Sequence, residues 1–186
     1  MAVLVEAISV IVRRDAIIEK YPGGWNIFAN AAPNRTLCHD DRIARVGFMA
    51  TQDVERFVDH LTRNGLTFLS HSIAQDIVVV DQQSGPTTKC EWLEFGRIPF
   101  EDSGGDVSAC WFFDGPHPLP GMCFPSKPMN LAVPPGWQFR GTLSDQYVFV
   151  PTGEESERLQ FLRAEDRVNV FLDRETGEEV YVGRTT

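Results

Sequence analysis

The sequence predicts an α+β protein in two parts. Residues 1–100 follow the element order of a ferredoxin-like (split βαβ) sandwich, and residues 101–186 are predicted to be mostly antiparallel β. Three observations predict this: β-branched apolar residues near the N-terminus, one strongly amphipathic helix, and a change of composition after residue 100. The two parts could equally form one continuous domain, because 186 residues is an ordinary size for a single domain.

The first element is a strand over residues 3–12, rich in Val and Ile. Its apolar residues fall on both faces, which is typical of a central strand covered on both sides. Glu6 would then lie on the same face as Leu4 and Ile8. Its carboxylate would either meet solvent at a strand end or pair with an arginine such as Arg45.

A short helix over residues 15–21 is predicted next, ended by the Pro22-Gly23-Gly24 run, with further helical turns at 25–30. Strands at 35–38 and 43–49 then flank a polar tetrad and predict a hairpin.

The clearest helix in the sequence begins at Thr51 and ends at Asn64-Gly65. A residue in the left-handed conformation, most often glycine, commonly ends a helix in this way. The apolar residues of this predicted helix recur at i, i+3, i+4 and i+7, so one face should be buried. These residues are Val54, Phe57, Val58 and Leu61. Strands at 76–81 and 90–98 complete the first part. This element order resembles the βαβββ modules of vicinal-oxygen-chelate (glyoxalase-like) folds and ACT-type ligand-binding domains.

The second part opens with an acidic turn at 101–106 and an apolar strand at 107–113. Seven of the 12 prolines fall within 116–135, which predicts an extended ordered loop or a linker. Strand pairs are predicted at 137–142 with 146–150 and at 168–172 with 179–182. Residues 158–163 fit either a helix or a strand.

Charge and cysteine content narrow the classes of function. The net charge is −9, and residues 101–186 carry 7 basic and 14 acidic side chains, so binding to nucleic acid or to a membrane surface is disfavoured. The four cysteines form no CxxC motif, which favours reduced thiols. With no export signal or apolar span visible, we expect a soluble cytoplasmic protein that could form a homodimer.

Common catalytic and cofactor signatures (GxGxxG, GxxxxGK[ST], HExxH, GxSxG and the EF-hand loop) are absent from the sequence, so we expect no cofactor. Strand alternation would place Trp92 and Glu94 on one face, where an indole could desolvate the carboxyl group and raise its pKa. His117 follows an aromatic strand end and could stand at the rim of the same site. Glu94 and His117 are therefore the candidate acid–base residues, with Glu6 as the alternative carboxylate.

Aromatic residues cluster around the proline-rich segment and could line a pocket or form the core of the second part. The candidate ligand-binding residues are Trp92, Trp111, Phe113 and Trp137. We predict no metal site. A zinc site from Cys110, His117 and Cys123 stays open as an alternative, although its spacing matches no common zinc module.

Three functions follow from these patterns. The leading hypothesis is a non-catalytic binding or regulatory protein with an aromatic-lined pocket or interface, whose ligand is an unknown small molecule or protein. The second is a small hydrolase, lyase or isomerase that uses Glu94 and His117. The third is a partner subunit that binds a basic protein through its acidic C-terminal half.

Overall fold

The computed structural model describes residues 1–100, 105–113, 130–140, 142–146, 159–165, 168–174, 177 and 179–183. The chain divides into two compact units, Met1–Trp137 and Gln138–Thr186. Both units combine strands with helix, so the predicted α+β class is confirmed.

The central sheet of the first unit has five strands, and every neighbouring pair is antiparallel. In spatial order these are β3 (Cys38–His39), β4 (Ile43–Phe48), β2 (Ile8–Arg13), β7 (Ile77–Asp81) and β8 (Gly85–Pro86). It follows that β2 and β3 run parallel with β4 between them. In the same way, β4 and β7 run parallel with β2 between them.

A second sheet of four strands lies in the same unit. Its spatial order is β10 (Leu93–Phe100), β11 (Gly105–Phe112), β1 (Ala2–Leu4) and β12 (Leu131–Ala132). The sequence assigned β11 to the second part of the chain, yet this strand pairs with β10 and β1 inside the first unit. A small third sheet consists of β5 (Leu69–Ser70), β6 (Ile73–Ala74) and β9 (Lys89–Cys90).

Helices cover one face of the central sheet. They are α1 (Arg14–Lys20), α2 (Gly24–Ala31) and α3 (Thr51–Arg63), with a short 3₁₀ turn at Pro33–Arg35. The predicted apolar face of α3 is buried, and its residues pack with Val10, Val12 and Val46 of the central sheet. Residues such as Phe28 of α2 and Ile17 of α1 join this helix-side core.

The opposite face of the central sheet packs against the second sheet. This inter-sheet core includes Ile11 and Val78 from the central sheet, together with Val3 and Cys110 from the second. The first unit is therefore three layers deep: helices, central sheet and second sheet. Because both faces of β2 are covered, its residues are apolar on both sides, as a central strand requires.

The prediction of one strand over residues 3–12 is wrong. The chain leaves the second sheet after Leu4 and enters the central sheet at Ile8, so Glu6 lies in the connection between two strands. Ala7 turns the chain there with a φ of 48°. The alternation of apolar residues does not reveal this break. Because β1 and β2 are each covered on both faces, the two segments together have the apolar pattern of one strand.

The second unit contains α4 (Leu143–Gln146) and an antiparallel sheet in the order β13 (Leu159–Glu165), β14 (Val168–Asp173) and β15 (Glu179–Gly183). The hairpin predicted from residues 168–172 and 179–182 is confirmed. The strand pair predicted at 137–142 and 146–150 around a turn at 143–145 is wrong where it is described: residues 137–140 and 142 form no strand, and Leu143–Gln146 form the helical turn α4. Residues 114–129, most of the proline-rich segment, lie outside the described residues.

Candidate functional site

Glu94 lies on β10 directly opposite Trp111 of β11. The indole Nε1 of Trp111 donates a hydrogen bond of 2.6 Å to Oε2 of Glu94. Trp92, the predicted neighbour of Glu94, instead packs in the inter-sheet core and donates from Nε1 to the carbonyl of Ala74 at 3.2 Å. The predicted meeting of a carboxylate with an indole therefore exists, but across the strand pair rather than along the strand.

Glu6, the alternative carboxylate, also accepts an indole hydrogen bond. Trp137 donates from Nε1 to Oε2 of Glu6 at 3.0 Å, and its ring meets Phe100 edge-on with 5.5 Å between centroids. Phe100 ends β10, whereas Glu94 lies near its start. Six residues of strand span about 20 Å, so the two carboxylates belong to separate sites.

The remaining predicted catalytic and zinc residues are only partly described. His117 and Cys123 lie outside the described residues, and Cys110 is buried in the inter-sheet core, where burial raises the pKa of its thiol well above the usual range. Phe113 is half-buried at the end of β11. Within the described ranges, no group of three His, Cys, Asp or Glu side chains is placed to hold a metal ion.

The guanidinium of Arg45 is a buried charge. It lies beside the connection that leads from β1 in the second sheet to β2 in the central sheet. The Arg45 side chain is only 2% exposed and donates from Nε to the Ser9 hydroxyl at 2.9 Å. Its Nη2 donates to the carbonyl of Glu6 at 3.0 Å, and its Nη1 to that of Thr36 at 3.3 Å. Arg45 thus contacts the backbone carbonyl of Glu6, whereas the pairing predicted for Glu6 was through its carboxylate. Burial lowers the pKa of Arg45, but a guanidinium stays charged in proteins.

Cys38 lies against this arginine and is almost fully buried. Burial raises the pKa of its thiol to about 11, although the Arg45 charge acts in the opposite direction. The cysteines that the structure describes, Cys38, Cys90 and Cys110, are free thiols.

Alkaline pH is therefore expected to destabilise the protein. Between the ordinary thiol pKa of 9.0 and the folded value of about 11, the unfolded chain has lost the Cys38 proton and the folded chain still holds it. The unfolded state then binds fewer protons, so the free energy of unfolding falls as the pH rises, by about 2–3 kcal/mol across this window. Urea unfolding at a series of pH values measures the slope. Cys38→Ala should reduce the slope without abolishing it, because burial also raises the pKa of Cys110, and an unchanged slope would contradict the assignment.

A cluster of arginines and aromatic rings lies on the surface of the first unit. It brings together the end of β2, the start of α1, helix α2, the β3–β4 hairpin and the end of β11. We call it the arginine–aromatic cluster, and its residues are Arg13, Arg14, Trp25, His39, Arg42 and Phe112.

Two guanidinium groups of the cluster lie over rings. The Cζ of Arg14 is 4.2 Å from the centroid of the Trp25 ring, and that of Arg42 is 4.0 Å from the Phe112 ring. Both distances are within the range of cation–π attraction. The His39 ring meets Trp25 edge-on, with 4.7 Å between centroids. Arg14, Trp25 and His39 therefore form one group in contact, with the guanidinium over the indole and the imidazole edge-on to it.

Hydrogen bonds to the hairpin turn hold Arg14 in place. Its Nη1 donates to the carbonyl of Asp40 at 2.6 Å. The buried carboxylate of Asp40 in turn accepts from the backbone N–H groups of Arg42 at 2.7 Å and Ile43 at 2.8 Å, which fixes the turn. Because both the ring and the turn constrain it, the guanidinium of Arg14 has one defined orientation.

Among the described residues, Asp15, Asp40, Asp41 and Asp76 lie near these arginines, and Asp76 pairs with Lys20. Asp15 pairs with Arg13, whose hydrogen bond lowers the pKa of that carboxyl group. Asp40 is occupied by the hairpin turn. Asp41 is fully exposed, and its Oδ1 lies 3.9 Å from Nη1 of Arg14. In the described part of the chain, Arg14 Nε is buried without a partner, and Nη2 makes no hydrogen bond.

The sequence patterns did not predict this cluster. His39 and Asp40 were predicted to be part of a polar hairpin loop, and Trp25 to be an ordinary helical residue. The available signal was the adjacent pair Arg13-Arg14 at the end of an apolar strand. Whether this arginine pair contacts α2 and the β3–β4 hairpin depends on the order of the strands in the central sheet.

No family model, curated protein or solved structure matches this chain.

Among the helices of the described residues, none is long and apolar enough to cross a membrane.

Proposed function

We propose that this chain is a non-catalytic binding protein, soluble and cytoplasmic, whose ligand contacts the arginine–aromatic cluster. The observation that supports the proposal is the stacking of Arg14 on Trp25 beside His39, with the partly exposed Arg14 guanidinium held by the β3–β4 hairpin. Arginine and tryptophan are the residue types that most often dominate binding energy at protein surfaces.

The ring residues predicted from the sequence are less suited to contact a ligand directly. Trp92 and Trp111 are each 8% exposed, and both indole N–H groups are used internally. Trp137 likewise donates to Glu6. Of these tryptophans, Trp92 supports the arginine–aromatic cluster from the inter-sheet core, where its ring stacks on the cluster residue Phe112.

The fold of the first unit supports a finer proposal, that it is ferredoxin-like. Each of its two helical crossovers joins parallel strands with an antiparallel strand inserted between them: β2 to β3 around β4, and β4 to β7 around β2. Two interleaved split βαβ units define the ferredoxin-like arrangement. Helices on one face of the sheet are also expected of that fold.

The enzyme alternative depends on Glu94 and His117. Glu94 accepts a hydrogen bond from the Trp111 indole, whereas His117 lies outside the described residues. The partner-subunit alternative depends on the acidic residues of 101–186. Neither alternative uses Trp25.

A fragment screen by two-dimensional NMR tests the binding function. Fragments that bind are expected to shift the indole N–H resonance of Trp25 and the amides of the β3–β4 hairpin. Trp25→Leu should abolish these shifts, whereas Ile27→Ala, an exposed apolar residue of the same helix, should preserve them. Thermal unfolding checks that both variants are folded. Shifts confined to Glu94 and Trp111 would instead favour the enzyme.

A further inference from the structure

We infer that the arginine–aromatic cluster binds an oxyanion, a carboxylate or phosphate group of a small molecule, with Arg14 as its main contact. This inference rests on the proposed binding function and specifies the chemistry of the ligand. Arginine is the side chain best suited to such groups, because its planar, permanently charged fork matches the geometry of carboxylate and phosphate oxygens.

The first step is the rigidity of Arg14. A free arginine side chain loses considerable rotamer entropy when it is immobilised by a ligand. Here the guanidinium is already held from two sides, by the Trp25 ring at 4.2 Å and by the Asp40 carbonyl at 2.6 Å. A ligand that contacts the outward edge of this group therefore meets an oriented donor.

The second step is the charge of Arg14, which is only weakly compensated inside the protein. Its side chain is 18% exposed, so much of its hydration is removed. The Asp40 carboxylate is engaged by two backbone N–H groups, and Asp41 is a fully exposed side chain 3.9 Å away. Because Asp41 is fully exposed and its carboxylate lies near the limit of ion-pair distance, this pair contributes little, so an external anion can replace Asp41.

The third step is the choice of an oxyanion over a neutral ligand. The stack offers hydrogen-bond donors in addition to the positive charge: in the described residues, neither Nη2 of Arg14 nor Nε1 of Trp25 has an internal acceptor. Neighbouring Arg13 adds positive charge, although Asp15 pairs with it. A cation with adjacent N–H donors matches the several acceptor oxygens of a carboxylate or phosphate.

Titrations with inorganic phosphate and with citrate test this inference and separate the two sources of oxyanion. At least one is expected to shift the Trp25 indole N–H resonance saturably, with an affinity that falls as sodium chloride is added. Arg14→Gln should weaken binding by about tenfold or more, because it removes a charge-assisted hydrogen bond. Asp41→Asn should tighten binding, since it removes the competing carboxylate.

Arg56→Gln is the matched control. Arg56 lies on α3, is 82% exposed and pairs with Asp53 at 3.5 Å, so its loss should leave the affinity unchanged. If Arg14→Gln fails to fold, Asp41→Asn decides the question, because this change touches only an exposed side chain.

The outcomes separate the inference from the function on which it rests. If neither anion shifts Trp25 while neutral fragments do, the oxyanion class is wrong and the binding function stands. If a Glu-rich peptide shifts Trp25 and the two small anions do not, the ligand is a protein segment and the inference is overturned. If no fragment, anion or peptide shifts the cluster, both the inference and the proposed function fail.

Discussion

Replacing Leu61 by Ala is expected to lower the free energy of unfolding by about 2–5 kcal/mol. Leu61 is fully buried where α3 packs on the central sheet, so truncation removes apolar contacts and leaves a cavity among close-packed neighbours. Phe57→Ala should have an effect in the same range, because Phe57 lies one turn earlier on the same face and contacts the rings of Phe28 and Phe48.

Urea unfolding measures this effect. Leu69→Ala supplies the control, since Leu69 is 42% exposed on a short strand and its truncation should change stability much less, by about 0.5 kcal/mol or less. A Leu61→Ala protein as stable as the parent would contradict the packing of α3 on the sheet.

Replacing Arg45 by Met is expected to destabilise the protein by about 2–4 kcal/mol. Methionine keeps the apolar part of the side chain, so the expected loss comes from the hydrogen bonds. The hydroxyl of Ser9 and the carbonyls of Glu6 and Thr36 would lose the donor that now satisfies them. Removal of a desolvated charge offsets part of this loss.

Gly47 provides a sharper test of the same region. A Cβ atom at this position would lie 2.5 Å from Nη2 of Arg45, so Gly47→Ala should destabilise the parent protein. In the Arg45→Met background the guanidinium is absent, and the same substitution should be much less harmful. A double-mutant cycle in urea measures this coupling. Additive effects would mean that Gly47 does not make room for the arginine.

The sequence predicted those elements whose signal is local. The apolar face of α3 follows from a 3.6-residue period within one segment, and the β3–β4 hairpin follows from a polar loop between two apolar runs. The break at Glu6-Ala7 has no such signal. Ala7 adopts a positive φ without being glycine, and the hydrogen bonds that hold the crossing come from Arg45 and Gln82, which are distant in sequence.

The candidate site was less predictable for the same reason. Glu94 was predicted to lie beside the indole of Trp92, but its partner is Trp111, a pairing that depends on the register of β10 with β11. The stack of Arg14, Trp25 and His39 joins three separate elements. Only the strand order brings these elements together, and single-segment patterns contain no information about it.

The position of β1 has a consequence for how the protein folds during synthesis. β1 lies between β11 and β12, and Val3 pairs with Cys110, roughly a hundred residues later in the chain. While the ribosome is still making the central sheet, the apolar residues of β1 have no strand partner. The second sheet can close only after residues 131–132 emerge. Its formation is therefore a late, non-local event, which is slow, and the nascent N-terminus is open to mispairing until then.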